Sequence, residues 1–293
     1  MTDGSSASMP ASSPGQDSAW VSVLANDMAV PVDRPIEESV AELVVMLSDP
    51  DPSIRDETAY PIVATWIIRG DLDGRLGDLG DEMAVAHARP EIQARTFATL
   101  ILGAVIRRDA VTGELTDERV RHWQRTFGAW FLDETDLRGW DDRLGWLHAI
   151  AHGADTARAL AMSPRLGADD LAGLSRLWAD RLLRPTSYRF SQGEDARMAY
   201  AMATLLCRRD LGDPVGWLEP LHAAIDAGTP GPTPAWAANT IETLTSLYVY
   251  VQRGITRYDP VTQEPMSIGL PDAHAEISDR IAGVLRLPSY WLG

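Results

Sequence analysis

The stretch Gly145-Trp146-Leu147-His148-Ala149-Ile150-Ala151-His152-Gly153-Ala154-Asp155 holds the densest set of groups that could do chemistry. At about 100° per residue, His148, His152 and Asp155 share one face of a helix, opposite the apolar stripe of Trp146, Ile150, Ala154 and Ala157. Neutral imidazoles at i and i+4 can share a divalent metal, and a carboxylate further along can add an oxygen ligand. With water in an open position, such a site would suit metal-assisted hydrolysis. The same three side chains could instead hydrogen-bond a ligand in a polar groove, or satisfy one another between packed helices. Ala149 stands where a metalloprotease helix carries its glutamate.

Further polar groups recur at the starts of expected helices. Arg55 and Asp56 open one, Glu194 and Arg197 another, and Asn239 lies early in a third. Arg138, in the loop ahead of the histidine segment, could bind a carboxylate or phosphate, or brace the helix start. Taken singly, solvated or capped helix starts explain each of these residues. Taken together, Arg55, Asp56, Arg138, His148, His152, Asp155, Glu194, Arg197 and Asn239 could converge on one groove, with Trp140, Trp146, Tyr60 and Trp66 as walls. Other chemistries are absent from the chain. It has no lysine, which removes Schiff-base chemistry and the P-loop lysine. Cys207 is the single cysteine and sits in an apolar run, the pattern of a buried small hydrophobe. There is no Gly-Xaa-Ser-Xaa-Gly elbow and no dinucleotide-binding glycine fingerprint.

The elements that must position these groups read as helices throughout, with no convincing strand. Asp51 followed by Pro52 starts a helix that Gly70 ends, Thr116 caps another, and Ser191 with Glu194 matches a capping box. The second member of each helix pair begins near Asp51, Pro90, Leu144, Ser191 and Pro234. That period predicts an all-α fold, an irregular α-solenoid of about ten to eleven helices in HEAT-like or armadillo-like hairpins. In such arrays one helix of each pair lines a concave face. Residues 1–34 read as a disordered Ser/Ala/Pro-rich tail and residues 35–293 as a single helical-repeat domain.

Aspartate and glutamate total 42 against 26 basic residues, a formal net charge of −16. A phosphate backbone would be repelled by that mean field, which disfavours a further reading, a HEAT-like nucleic-acid-processing protein. No apolar run approaches the length of a membrane helix, and the N-terminus lacks a secretory signal, so the expected location is the cytoplasm.

Ile54-Arg55-Asp56-Glu57-Thr58-Ala59-Tyr60, Asp136-Leu137-Arg138-Gly139-Trp140, the histidine segment, Glu194-Asp195-Ala196-Arg197 and Asn239-Thr240 together carry a likeness. Over about residues 38–251 the chain resembles a bacterial family known as domain of unknown function 2785. The resemblance implies a cytoplasmic helical protein and names no substrate or cofactor. The residues themselves leave two functions open. One is a binding or scaffold module that takes a peptide, a protein segment or a small molecule. The other is a metal-assisted hydrolase using His148, His152 and Asp155.

Overall fold

Local signals start the helices where the chain offers a cap. The Asp51 carboxylate accepts the Ser53 N–H at 2.9 Å, Pro52 fills the first helical position, and Thr116 accepts from the Arg119 N–H. Gly70, at φ 92°, supplies the left-handed stop. In the computed structural model these signals belong to a chain described over residues 14–229, 231–258 and 264–288. The described residues form twelve helices, against the ten to eleven expected: α1 (Pro14–Ala25), α2 (Ile36–Met46), α3 (Tyr60–Arg69), α4 (Leu76–Ala86), α5 (Ile92–Thr112), α6 (Asp117–Asp133), α7 (Ala149–Met162), α8 (Ala168–Leu183), α9 (Glu194–Leu206), α10 (Glu219–Asp226), α11 (Ala235–Arg253) and α12 (His274–Arg286). None of the described helices is long and apolar enough to cross a membrane.

Four differences from the sequence expectation have physical causes. The helix predicted from Asp51 to Arg69 is broken by a π-helical turn, Arg55–Ala59. Pro61 has no N–H to give Glu57, and its ring would press on that carbonyl, so the turn ahead of it widens and Tyr60 N–H bonds Arg55 O instead. Two short hairpins are also present: β1 (Trp140–Asp141) with β2 (Gly145–Trp146), and β3 (Ile255–Tyr258) with β4 (Pro265–Gly269). At the third site, Ser191 does not cap α9. Gly193 takes the cap position, and the Glu194 carboxylate accepts the N–H groups of Ser191 and Gln192. Finally, the predicted tail divides. Residues 1–13 lie outside the described residues, while α1 packs through Trp20, which is buried, stands 6.5 Å from the Trp66 ring and donates to Glu42.

The five helices that the sequence marks as second members lie in one row: α3 packs on α5, α5 on α7, α7 on α9, and α9 on α11. Side-chain contacts fix their direction. Between α5 and α7, Phe97 meets His152, Thr156 donates to Thr99 O, and Arg165 just beyond α7 reaches Asp109. Between α7 and α9, Asp155 pairs with Arg197, and Arg158 lies over Tyr200. Between α9 and α11, Ser246 bonds Asp195, and Tyr250 faces Tyr200. Residue numbers rise together along each pair, so neighbours run parallel and their N-termini share one edge. A second row of α4, α6, α8, α10 and α12 packs alongside.

Close crossings are bought with small residues. A Cβ on Gly153 would stand 2.3 Å from the Phe131 ring, and one on Gly103 would stand 2.9 Å from Thr156 Oγ1. Gly153→Ala should therefore lower stability by about 1–3 kcal/mol through overpacking. Gly283→Ala, in open space on α12, should stabilise by up to about 1 kcal/mol. Urea unfolding of both variants beside the parent checks the contrast.

Candidate functional site

The edge where the row helices begin is held together by groups that the sequence places in a groove. Arg55 has no exposed surface. It donates to Asp56 at 2.6 Å, to Asp49 O at 3.0 Å and to Leu144 O at 2.6 Å, with a longer contact to Trp146 O, and its guanidinium lies 4.8 Å over the Phe97 ring. Glu194 is equally buried and receives Tyr188 Oη–H as well as its two backbone donors. Tyr188 Oη in turn accepts the Gly139 N–H. The Asn239 side chain accepts from Phe190 N–H and donates to Tyr188 O. Arg55, Glu194 and Asn239 are therefore brackets that tie the loops over residues 134–148 and 184–193 to the helix starts, rather than groove-lining groups. Trp66 is likewise core, with its indole N–H on Met28 O. Asp56 is bound to Arg55, and burial raises its pKa.

Above these brackets the β1–β2 hairpin holds two tryptophans at the surface. Trp140 is 46% and Trp146 41% exposed. Gly145 makes the hairpin possible: its φ is +71°, and a Cβ there would stand 2.8 Å from Pro52 Cγ. Arg138 stays on the hairpin surface, paired to Asp136 at 2.6 Å and to Asp141. Asp141 also accepts the Arg143 and Leu144 N–H groups, and Asp142 accepts the Trp140 indole.

The histidine segment differs from the predicted helix in a way that changes its chemistry. The helix expected from about residue 144 begins at Ala149, and His148 caps it with left-handed backbone, φ 51° and ψ 37°. Such a conformation costs a non-glycine residue of order 1–3 kcal/mol. Both Leu147 and His148 N–H groups turn back to Gly139 O. The strain brings His148 flat against Trp146, ring centroids 4.4 Å apart and planes 4° from parallel. His152 follows at 5.4 Å, then Phe97 at 5.3 Å from His152, then Tyr60 at 6.0 Å from Phe97. With Trp140 4.8 Å from Trp146, six rings run from the surface into the core.

Both imidazoles are buried, and the Nδ1 of each has no hydrogen-bond partner. Burial, helped by the Arg197 charge, pulls the His148 pKa down to about 4. Burial, then His148 and Arg197, pulls His152 well below its ordinary value, against a hydrogen bond to the Thr96 backbone. Both rings are therefore neutral at neutral pH, and at about 4 His148 is a weak base for proton abstraction. Asp155, the expected third metal ligand, is ion-paired to Arg197 at 2.9 Å. Among the described residues no three His, Cys, Asp or Glu side chains gather as a metal site.

Sequence reasoning missed three features. Arg107 on α5 and Arg158 on α7 face the same row surface as Arg197. The Arg107-Arg108 doublet late in an otherwise apolar helix is the signal that could have shown the first of these. The third is a cavity of about 730 Å³ between α4, α6 and the start of α5, lined by His87, Arg95, His122, Trp130 and Glu134 among others. Thr99 Oγ–H donates to Arg95 O, so its oxygen must accept from His87 Nε2 at 2.9 Å. That leaves His87 Nδ1 as a buried lone pair without a donor. Burial lowers the His87 pKa to about 4, and the ring stacks on Trp130 at 5.1 Å. Cys207 is half-buried, and burial raises its thiol to about 11, so it is no nucleophile at neutral pH.

The model of the family described as Protein of unknown function (DUF2785) matches residues 83–249, more than half of the chain. The chain belongs to that family. The DUF2785 match takes in α5, α7, α9 and the β1–β2 hairpin, hence the tryptophan pair, both row histidines and Arg197, and leaves out Arg55. No curated protein and no solved structure matches the chain.

The lowered histidine values make a pH prediction. A histidine whose folded pKa lies below its unfolded one contributes stability that is whole above about 6.5 and is lost as pH falls toward about 4. His87 and His148 should each account for an acid loss on the order of 3 kcal/mol. Urea midpoints measured between those pH values should fall more steeply for the parent than for His87→Gln. Parallel slopes would show that His87 charges freely in the folded state.

Proposed function

We propose that this chain is a binding module, built as an irregular solenoid of helical hairpins in the manner of HEAT and armadillo arrays. Its ligand site is the rim formed by Trp140, Trp146, His148, His152, Asp155 and Arg197. The occupant we infer is a flat, hydrogen-bonding group presented by a small molecule or a peptide. One observation carries the reading: two exposed tryptophans and two adjacent imidazoles with unpartnered Nδ1 atoms meet at a residue held in strained backbone. Strain, exposed aromatic surface and unsatisfied polar atoms each cost stability, and their coincidence at one point favours a site over a packing accident. The parallel row supports the solenoid reading, because hairpins stacked in register place like helices side by side.

The test is a thermal-shift screen of small molecules and short peptides on the full chain, repeated with Trp146→Ala and His148→Gly. The glycine variant relieves the backbone strain and removes the imidazole stacked on Trp146. At least one compound should stabilise the parent, and that stabilisation should vanish in Trp146→Ala. Ligands whose effect survives both substitutions would place binding elsewhere and sink the proposal, as would a screen without a hit.

A second reading has one observation behind it. The two unpartnered Nδ1 atoms could hold a divalent metal for hydrolytic work, with water completing the set. Elemental analysis of untagged protein decides it. Stoichiometric zinc, manganese or iron that is lost in the His148→Ala/His152→Ala double variant would favour the metal, and its absence after incubation with excess ions would remove it.

A further inference from the structure

The chain owes its entire basic charge to arginine and is strongly acidic overall, so carboxylates are plentiful. Where an arginine lies against the protein, a carboxylate or a set of carbonyls usually receives it, as at Arg95, Arg108, Arg165 and Arg208. Arg107 and Arg158 depart from that pattern. Arg107 is half-buried and makes no hydrogen bond or ion pair among the described residues. Arg158 is half-buried too, with Nε enclosed and unpartnered; among the described residues its one polar contact is a long one to Met162 Sδ at 3.9 Å.

The helix register puts these two side chains beside Arg197. On α5, Gly103 sits against Thr156 of α7, and Asp109 reaches Arg165, so Arg107 lies level with the turn that carries Arg158. On α9, Arg197 pairs with Asp155, one turn before Arg158, and Tyr200 lies 5.1 Å beneath the Arg158 guanidinium. Three guanidiniums thus share one patch with a single paired acid. Burial lowers the Arg107 pKa, and the Arg158 charge lowers it further, so the cluster works against itself in the free protein. Tyr60 adjoins the same charges, and its hydroxyl makes no hydrogen bond among the described residues. Half-buried like charges without acceptors are unfavourable, and they mark a place where an incoming anion would be worth more than at the open surface.

We infer that the face of α5, α7 and α9 binds an anionic group, a phosphate or a carboxylate, between Arg107, Arg158 and Arg197. A planar guanidinium offers paired donors that match either group, and two of the three forks are unoccupied. Arg197 belongs to both this patch and the tryptophan rim. The inference therefore deepens the reading of this edge as a binding site: the ligand would carry its flat group at the hairpin and its charge along the helices.

Isothermal titration of the full chain with inorganic phosphate, pyrophosphate and citrate, at low and at physiological salt, tests this directly. At least one anion should bind, more weakly at higher salt, and Arg107→Gln/Arg158→Gln should weaken it by about tenfold or more. The preferred anion separates a phosphate site from a carboxylate site. The double variant loses the Arg158 contact with the Tyr200 ring along with the repulsion, so it should melt close to the parent. Failure of all three anions to bind, or equal binding by the double variant, overturns the anion site, as does a double variant that melts several degrees lower with no anion bound by the parent. A compound from the screen that still needs Trp146 under those results would leave the rim reading standing. Arginine-dependent anion binding without such a compound would do the reverse.

Discussion

Arg55 has no contact with solvent, and a buried guanidinium is tolerable only when its donors find acceptors. Here they do so across the chain. One edge of the fork is tied locally to Asp49 and Asp56, and the other to the carbonyls of the hairpin some 90 residues later. The π turn that Pro61 forces is the segment from which Arg55 projects, and the ring it covers, Phe97, is the one that His152 meets edge-on. The hairpin, the strained His148 and the ring column all build on that anchor. Removing the guanidinium would leave carbonyls without donors and the Gly145 turn without support.

The two halves of the edge are stitched by a second bracket of the same kind. Glu194 gathers the Ser191 and Gln192 N–H groups and Tyr188 Oη, and Tyr188 holds Gly139, the residue whose carbonyl receives Leu147 and His148. A carboxylate at the start of one row helix thereby fixes the backbone at the start of its neighbour. The polar residues that are most buried at this edge set geometry. Those left over, the imidazoles and the free arginines, are the ones with capacity for something else.

What the sequence made legible was what short-range physics decides. Asp51, Thr116 and Gly70 act at the helix ends where their side chains or backbone freedom say they must. The period of the helix pairs identified the five helices that form one row. The histidine segment was visible as chemistry, but its geometry was not. His148 leaves the helix because Gly139 O captures its N–H, and nothing in the residues near His148 announces that capture. Asp155 reads as a candidate metal ligand in the sequence, and its pairing with Arg197, 42 residues away, is visible only in the fold. Arg55, Glu194 and Asn239 read as groove residues in the sequence because a polar side chain at a helix start looks the same whether it faces solvent or a neighbouring loop. Arg107 stayed hidden for the complementary reason: its significance is the absence of a partner, which only a packed structure reveals.

The parallel row has a mechanical consequence. Each row helix packs on those beside it, so a small rotation at one crossing passes to the next, and the rotations add along the row as curvature. Where Gly103 meets Thr156, α5 and α7 approach so closely that even a methyl group would collide, and α7 packs on α9 with Arg158 over Tyr200 and Asp155 against Arg197. Arg107, Arg158 and Arg197 therefore ride on three successive helices of the row. A change of curvature would act like a calliper, altering the gaps among the three guanidiniums while leaving each helix intact.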